Sequence, residues 1–588
     1  MANDPRDVAA PSSTLHRRPV RFGPLEALVA HGNLRYLKYG DVELVRRIHV
    51  TVRDDVWGTV AGHLTDERFE HSDDRFLLRY RIEFTRGPIR FSADCTIRGI
   101  FNPVTHSAEV VFRLQGRALA PFATRRVGLC LLHPVRECVG RLCEVVHPDG
   151  TTESTQFPRL IDPRNPFHDV ARISYAIDGA TKLDLLFEGE AFETEDQRNW
   201  SDGSFKTFCR PLSKQAPYTL HAGEEVRQTI TIRVDGLARK QVHSRATNVV
   251  RLGDEVSPLP QIGLCLPRSG KVTERGLTRL ADLRPHFLRL DIDLSESVEI
   301  IHVLERAATT VRRLDVPIEL GVHLSPDTLD ELPRLGKVVA DLKVNVARWI
   351  AYDVGSQFAS QSSVAALRDS VQSAGLNGLV GGGTVGNFTE LNRAREAAGS
   401  MPLLSYPLNP QMHGMDDLTI VENLESHADT VRTARSFAPN AWLAIGPITF
   451  HRRPDPFAMG KQGIEREVVR PDPRQPTGLA AAWTIGCIAE LAGSRADSVA
   501  LFEVEGPFGI MDAGRAYPIC DVLAEVWSFG RQTLSTHVKQ PLCVSALALQ
   551  KDDLLRVLLA NLTDEPQSIQ LSGFGDCTSS SYNVTPRE

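Results

Sequence analysis

The sequence predicts a multidomain chain joining α/β and all-β architecture: an N-terminal antiparallel β-sandwich, a central (β/α)8 barrel and a small C-terminal β domain. Three observations predict it. The chain has 588 residues, more than one hydrophobic core holds, because single cores stop growing at about 250–300 residues. Apolar residues recur with period two from about residue 30 to about residue 235, the spacing that lines one face of a strand. Beyond about residue 260, eight short apolar runs alternate with amphipathic stretches, the size and rhythm of a (β/α)8 barrel.

Taken in order, residues 1–20 carry no apolar periodicity and are expected to be a disordered tail. The sandwich is expected over 21–253, where "IRFSADCTIRGIF", "AEVVFRLQGRAL", "TKLDLLFEGEAF" and "RQTITIRV" alternate between turn signals. Within it, "LHPVRECVGRLCEVVHPDG" offers His133, Cys138, Cys143 and His147. Their spacing fits no structural-zinc pattern, and "HPDG" closing an apolar run reads as a hairpin. "DEVSPLP" (254–260) reads as a linker. The barrel is expected over 258–532, with strands in "QIGLCLP", "FLRLDID", "IELGVHL", "VARWIAYDV", "NGLVGGGTVGN", "LLSYPLNP", "AWLAIGPITF" and "SVALFEVEG". Between them lie helices such as "SESVEIIHVLERAATTVRRL", with Ser295 as the expected cap. Residues 533–588 return to strands and turns.

Charge and composition exclude several functions. With 67 Lys and Arg against 73 Asp and Glu, the net charge is −6, so the basic footprint of a nucleic-acid binder is missing. The first twenty residues hold no apolar h-region, and no apolar run approaches the roughly 18 residues a membrane span needs. Ten cysteines without a C-x-x-C pair suit reduced thiols, so a cytoplasmic protein is expected, with no membrane partner. The oligomeric state is left open.

A (β/α)8 barrel carries its active site where the strands end C-terminally. Strand two ends in Asp291 and Asp293 and also holds Arg289; strand three ends in His323 and strand four in Asp353. Strand five runs into Asn387 and Glu390, strand six into Asn409 and His413, and strand eight into Glu503 and Glu505. Such a rim of carboxylates and amides suits a hydroxylated substrate, although each acid also fits a helix-capping role. "GGGTVG" matches G-x-G-x-x-G but is followed by neither the long helix nor the acid a dinucleotide needs, so its glycines are read as allowing close backbone approach or a bend. Neither a G-x-S-x-G elbow nor a Walker sequence occurs, and the Asn-Glu and Glu of many barrel glycosidases are absent after strands four and seven.

One further stretch, "FETEDQRNWSDGSFKTF" (192–208), joins six charged residues to a Trp and three Phe. Strict alternation would put Phe192, Thr194 and Asp196 on one face and Glu193, Glu195 and Gln197 on the other, with Asn199, Trp200 and Asp202 at a tip. Two readings stay open: a pocket wall, with Trp200 packed on substrate, or a clasp held by ion pairs.

Together with "GGGTVGNFTELNR", "YPLNPQMHGMDD", "AAWTIGCIAEL" and "FEVEGPFGIMD", this stretch resembles the D-apionate lactonase family. The resemblance spans most of the chain, from "LLHPVRECVGRLC" through strand eight. It implies a hydrolase of apiose catabolism that opens D-apionolactone to D-apionate, with a small sugar lactone as partner and no cofactor. For such chemistry the rim offers Glu390 or Glu503 as general base and His413 as proton donor. Asn409, Asn387 or Arg289 would meet the oxyanion, and Glu195, Asn199 and Trp200 would bind substrate. No metal is called for, with Asp291, His323 and Asp353 as the rival trio of ligands. The alternative functions are a glycoside hydrolase and a non-catalytic carbohydrate-binding protein.

Overall fold

The computed structural model describes residues 17–237, 247–453 and 469–574. Residues 1–16 of the expected tail and 575–588 of the expected C-terminal domain lie outside the described residues; Arg17–Phe22 already form a strand. The chain divides into two compact units, one of Met1–Gln197 with Gly203–Arg245 and one of Arg198–Asp202 with Ala246–Glu588.

The first unit is built on an eight-stranded and a nine-stranded antiparallel sheet. Ile89–Asn102 shows why: its burial alternates residue by residue, so Phe91, Ala93, Cys95, Ile97 and Phe101 enter the core while their neighbours face out. Phe22, Ile48 and Leu129 of the eight-stranded sheet join Phe76, Phe91 and Phe112 of the nine-stranded one in a single hydrophobic cluster, the arrangement of a β-sandwich. The "HPDG" hairpin is present, Leu142–Val146 pairing with Thr152–Gln156. His133 is a core histidine: it is bonded to the Thr207 hydroxyl at 2.7 Å and pushed down to about 3 by burial. Phe192–Asp196 pairs antiparallel with Ser204–Phe208. The expected division into two faces does not leave one of them solvated, because both strands are buried at every position. Burial is tolerated because the charges are matched: Lys206 reaches Glu195, and Glu193 takes His168 at 2.9 Å and the Leu212 amide at 2.6 Å.

In the second unit eight parallel strands close into a barrel: Gln261–Cys265, Leu288–Asp293, Ile318–Leu324, Val346–Asp353, Leu379–Gly383, Leu403–Leu408, Trp442–Ile448 and Ser498–Glu503. The glycines of strand five serve close packing: a Cβ on Gly383 would lie 2.5 Å from the Ser405 carbonyl and 2.7 Å from the Tyr352 ring. Two local expectations change. Helix Ser297–Leu314 has no side-chain cap, because Ser295 instead donates to Asp293 at 2.7 Å in the turn before it. The stretch read as a linker is largely strand: Asn248–Pro258 joins a five-stranded sheet with Gln532–Val538, Val544–Lys551, Leu554–Asn561 and Ile569–Ser572. Its chain passes through that sheet before entering the barrel, which the prolines at 258 and 260 mark only as an end. No helix among the described residues is long and apolar enough to cross a membrane.

Candidate active site at the barrel mouth

The barrel interior is polar along one side, and its centre is Arg289. Alternation in "LRLDID" sends Leu288, Leu290 and Ile292 into the surrounding core and turns Arg289 and Asp291 inward. The guanidinium uses all five N–H groups: Nη2 and Nε hold Asp291 at 3.0 and 3.2 Å, Nη2 also reaches the Tyr352 hydroxyl at 2.7 Å, and Nη1 binds Glu319 at 3.1 Å and Ser405 at 3.3 Å. Beneath it, Glu319 pairs with Arg348 at 2.7 Å. Arg289 therefore builds the floor of the mouth and has no donor left for a ligand.

Asp291 stands on that floor with 32% of its side-chain surface exposed. Burial works against its charge, but Arg289 and then His323 outweigh burial and hold the carboxyl below its ordinary range. Gly321 on the next strand makes room: a Cβ there would sit 1.9 Å from Asp291 Oδ1. The His323 ring packs on Tyr352 at 5.2 Å and is pushed down by burial. Asp353 takes the Ser360 amide at 3.0 Å ahead of helix Gln361–Ser373. Among the described residues no group of three or more His, Cys, Asp or Glu is arranged to hold a metal ion, and the trio Asp291, His323 and Asp353 is not assembled as one.

Glu503 enters the mouth through a defect in strand eight. Gly263 pairs with Ala500 and Leu264 with Leu501, but Cys265 pairs with Glu503, so Phe502 is an extra residue. Phe502 has φ 29°, a conformation bulky residues rarely adopt. Without it, alternation from Ser498 and Ala500 would turn Phe502 inward and Glu503 out. With it, Glu503 lies beside Cys265, whose thiol is raised by burial and feels Arg289, Asp291 and Glu503 together. Burial raises the Glu503 carboxyl from 4.5 to about 7. Its neighbour Glu505 is a structural acid, taking Thr273 N at 2.9 Å and Oγ1 at 2.7 Å.

From strand seven comes a residue that sequence reading passed over. Arg453 donates to the Val385 and Gly386 carbonyls at 2.8 and 3.3 Å. Burial and the neighbouring Arg289 lower it to about 10, against the pull of Asp291, Tyr352 and Glu390. Glu390 itself closes a capping box on helix Phe388–Arg393: its Oε2 takes the Asn387 amide at 2.6 Å while the Asn387 side chain accepts from the Glu390 amide. Asn409 is committed to the strand-seven loop, donating to Thr449 and to the His451 carbonyl.

The segment Arg198–Asp202 packs within this unit. Arg198, fully buried, pairs with Asp429 at 2.7 Å, and Asn199 accepts from Asn392 at 2.8 Å. Asp202 accepts from Asn423 at 3.1 Å on one oxygen and contacts His413 Nδ1 with the other. The Trp200 ring meets the His413 imidazole edge-on at 5.7 Å. Thus Arg289, Asp291, Glu390 and Arg453 share one charged surround and Glu503 joins Arg289 and Asp291 around Cys265, whereas Asn199, Trp200 and His413 gather around the tip. Glu195 pairs with Lys206 in the first unit.

Sequence profiles of the D-apionate lactonase N-terminal domain and of its TIM barrel domain match residues 7–237 and 262–530. The chain belongs to the D-apionate lactonase family. Membership places it among lactonases, hydrolases of cyclic esters. A D-apionate lactonase from Brucella anthropi is 26% identical over 601 residues, covering 96% of each chain. Among solved structures, a glucosidase from Croceicoccus marinus (10% identity, 54% of this chain and 84% of that one, TM-score 0.33) and a family 44 xyloglucanase from Paenibacillus polymyxa (8%, 56% and 91%, 0.37) are matched. In this family member Arg453 is a polar residue passed over in the sequence, and Asp202 is one whose role was not read there. The first follows the end of strand seven in "TFHRRP", where only the strand itself was read. The second was placed at the tip, with the hairpin's acids read as binding substrate hydroxyls or Lys206, and its contact with His413 was not read because the two lie 211 residues apart.

Proposed function

We propose that the chain hydrolyses a sugar lactone, D-apionolactone to D-apionate, at the C-terminal mouth of its barrel. The observation that carries this reading is the bulge at Phe502, which turns a carboxyl with a pKa of about 7 into the polar mouth. A base with that pKa is largely ionised just above neutrality and still accepts a proton.

Ionised Glu503 takes a proton from water as the water oxygen bonds to the lactone carbonyl carbon. The developing oxyanion is met by the Arg453 guanidinium and the side-chain amide of Asn387. The carbon–ring oxygen bond then breaks, and the ring oxygen leaves with a proton from His413; Glu503 afterwards gives the proton it took to solvent and His413 regains one from solvent. Trp200 offers an apolar surface for the carbon skeleton. The product acid ionises, so each turnover releases one proton. Arg289, Asn409 and Glu390 hold the backbone and charges in place, and Glu390 acts on Arg453 rather than on water. The test is proton release in a pH-stat across aldonolactones that include the branched apionolactone. Release with apionolactone, lost in Glu503→Gln and His413→Gln, is expected; a panel that yields no release above the spontaneous rate refutes the reading.

A further inference from the structure

We propose that Asp202, carried by the strand-linking segment Arg198–Asp202, is the positioning residue of His413: it fixes the imidazole with Nδ1 protonated, so that Nε2 is the nitrogen that gains and gives the proton. The inference rests on the role given to His413 above.

Asp202 is buried, and both its oxygens are engaged, Oδ2 with His413 Nδ1 and Oδ1 with Asn423 Nδ2. Asn423 is fixed in turn, its Nδ2 also donating to the Pro410 carbonyl at 2.8 Å. Because Asn423 presents N–H to Asp202, its own orientation is decided by the Pro410 carbonyl and cannot flip without losing both bonds. An ionised Asp202 only accepts, so the imidazole nitrogen facing it must carry hydrogen. Trp200 closes one side of the ring, and the tip is anchored by Arg198 on Asp429 and Asn199 on Asn392, so it cannot slide along the barrel unit. An imidazole oriented by a buried carboxylate, itself held by a third group, is a recurrent way to fix tautomer and direction in acyl transfer.

Replacing Asp202 by Asn tests the tautomer directly. In D202N the side-chain oxygen accepts from Asn423, which leaves the NH2 facing His413 Nδ1. That nitrogen must then accept, and the proton moves to Nε2. The expected result is a kcat fall of at least about 100-fold with KM changed less than about threefold. Imidazole nitrogen resonances from 15N-histidine labelling of the whole chain, with His413 assigned by its disappearance in His413→Gln, should show Nδ1 protonated in the wild type at pH 8.5 and Nε2 protonated in D202N. Should D202N fail to fold, the wild-type spectrum alone decides: an Nε2-protonated His413 overturns the proposal. So does a D202N enzyme with kcat within threefold of wild type while His413→Gln is inactive, and that outcome leaves the lactonase reading standing. A fully active His413→Gln overturns both this inference and the proton-donor role on which it rests.

Discussion

Glu503→Gln should make the protein more stable at alkaline pH while stopping its chemistry. In the folded state the carboxyl is raised from 4.5 to about 7 by burial, so the fold binds a proton more tightly than the unfolded chain does. Stability contributed by this group is fully present below pH 4.5 and is lost as pH rises through about 7. At about 1.4 kcal/mol per pH unit, the ionised side chain costs the fold about 3 kcal/mol above pH 7. Glutamine has the same shape and no charge, so it removes that cost at pH 8 and changes little at pH 4.5. For a unit of the barrel's size, about 3 kcal/mol raises its melting temperature by roughly 6 °C. Thermal unfolding of wild type and variant at the two pH values reads this difference, and pH-stat turnover reads the activity. The wild-type kcat/KM should climb as pH rises through about 7, where Glu503 ionises. A variant with the same melting temperature as wild type at pH 8, or a rate profile rising near pH 4.5, would refute the argument that burial tunes this carboxyl.

Arg289→Lys should lower the melting temperature, because three ammonium donors cannot replace five fixed ones and Asp291, Tyr352 and Ser405 would lose N–H partners while Glu319 keeps Arg348; an unchanged melting temperature contradicts the floor role. Gly321→Ala should displace Asp291, since the added methyl would lie 1.9 Å from Oδ1, and turnover should fall without loss of secondary structure by circular dichroism. Glu390→Gln keeps an oxygen for the capping box, so it should cost no more than about 1 kcal/mol and leave kcat within about fivefold; a loss of 100-fold or more would move the base role from Glu503 to Glu390.

Much of the fold was legible because both of its periods are written plainly. Strands such as Ile89–Asn102 alternate without a break, and eight buried runs announce the barrel. Arg289 and Asp291 were named in "LRLDID" as polar groups of strand two, yet that run could not say that Arg289 would spend every donor on its neighbours, since Glu319, Tyr352 and Ser405 come from three other strands. Glu503 was named for its position at a strand end, but its inward direction depends on one residue with positive φ, and Phe is the wrong residue type to signal that. The first-unit hairpin misled for a related reason. Alternation assigns faces but not burial, and Glu195 is hidden only because Lys206 lies directly across from it. The strand Asn248–Pro258 was unreadable because its polar, proline-ended sequence gets its partners from residues almost 300 positions later.

The central claim is that Glu503 in the barrel mouth activates water against a sugar lactone. The most direct measurement is the single-turnover rate of apionolactone opening at pH 8, wild type against Glu503→Gln, followed by proton release. The account predicts measurable wild-type opening and a fall of about 100-fold or more in the variant. Equal rates in the two proteins would contradict it.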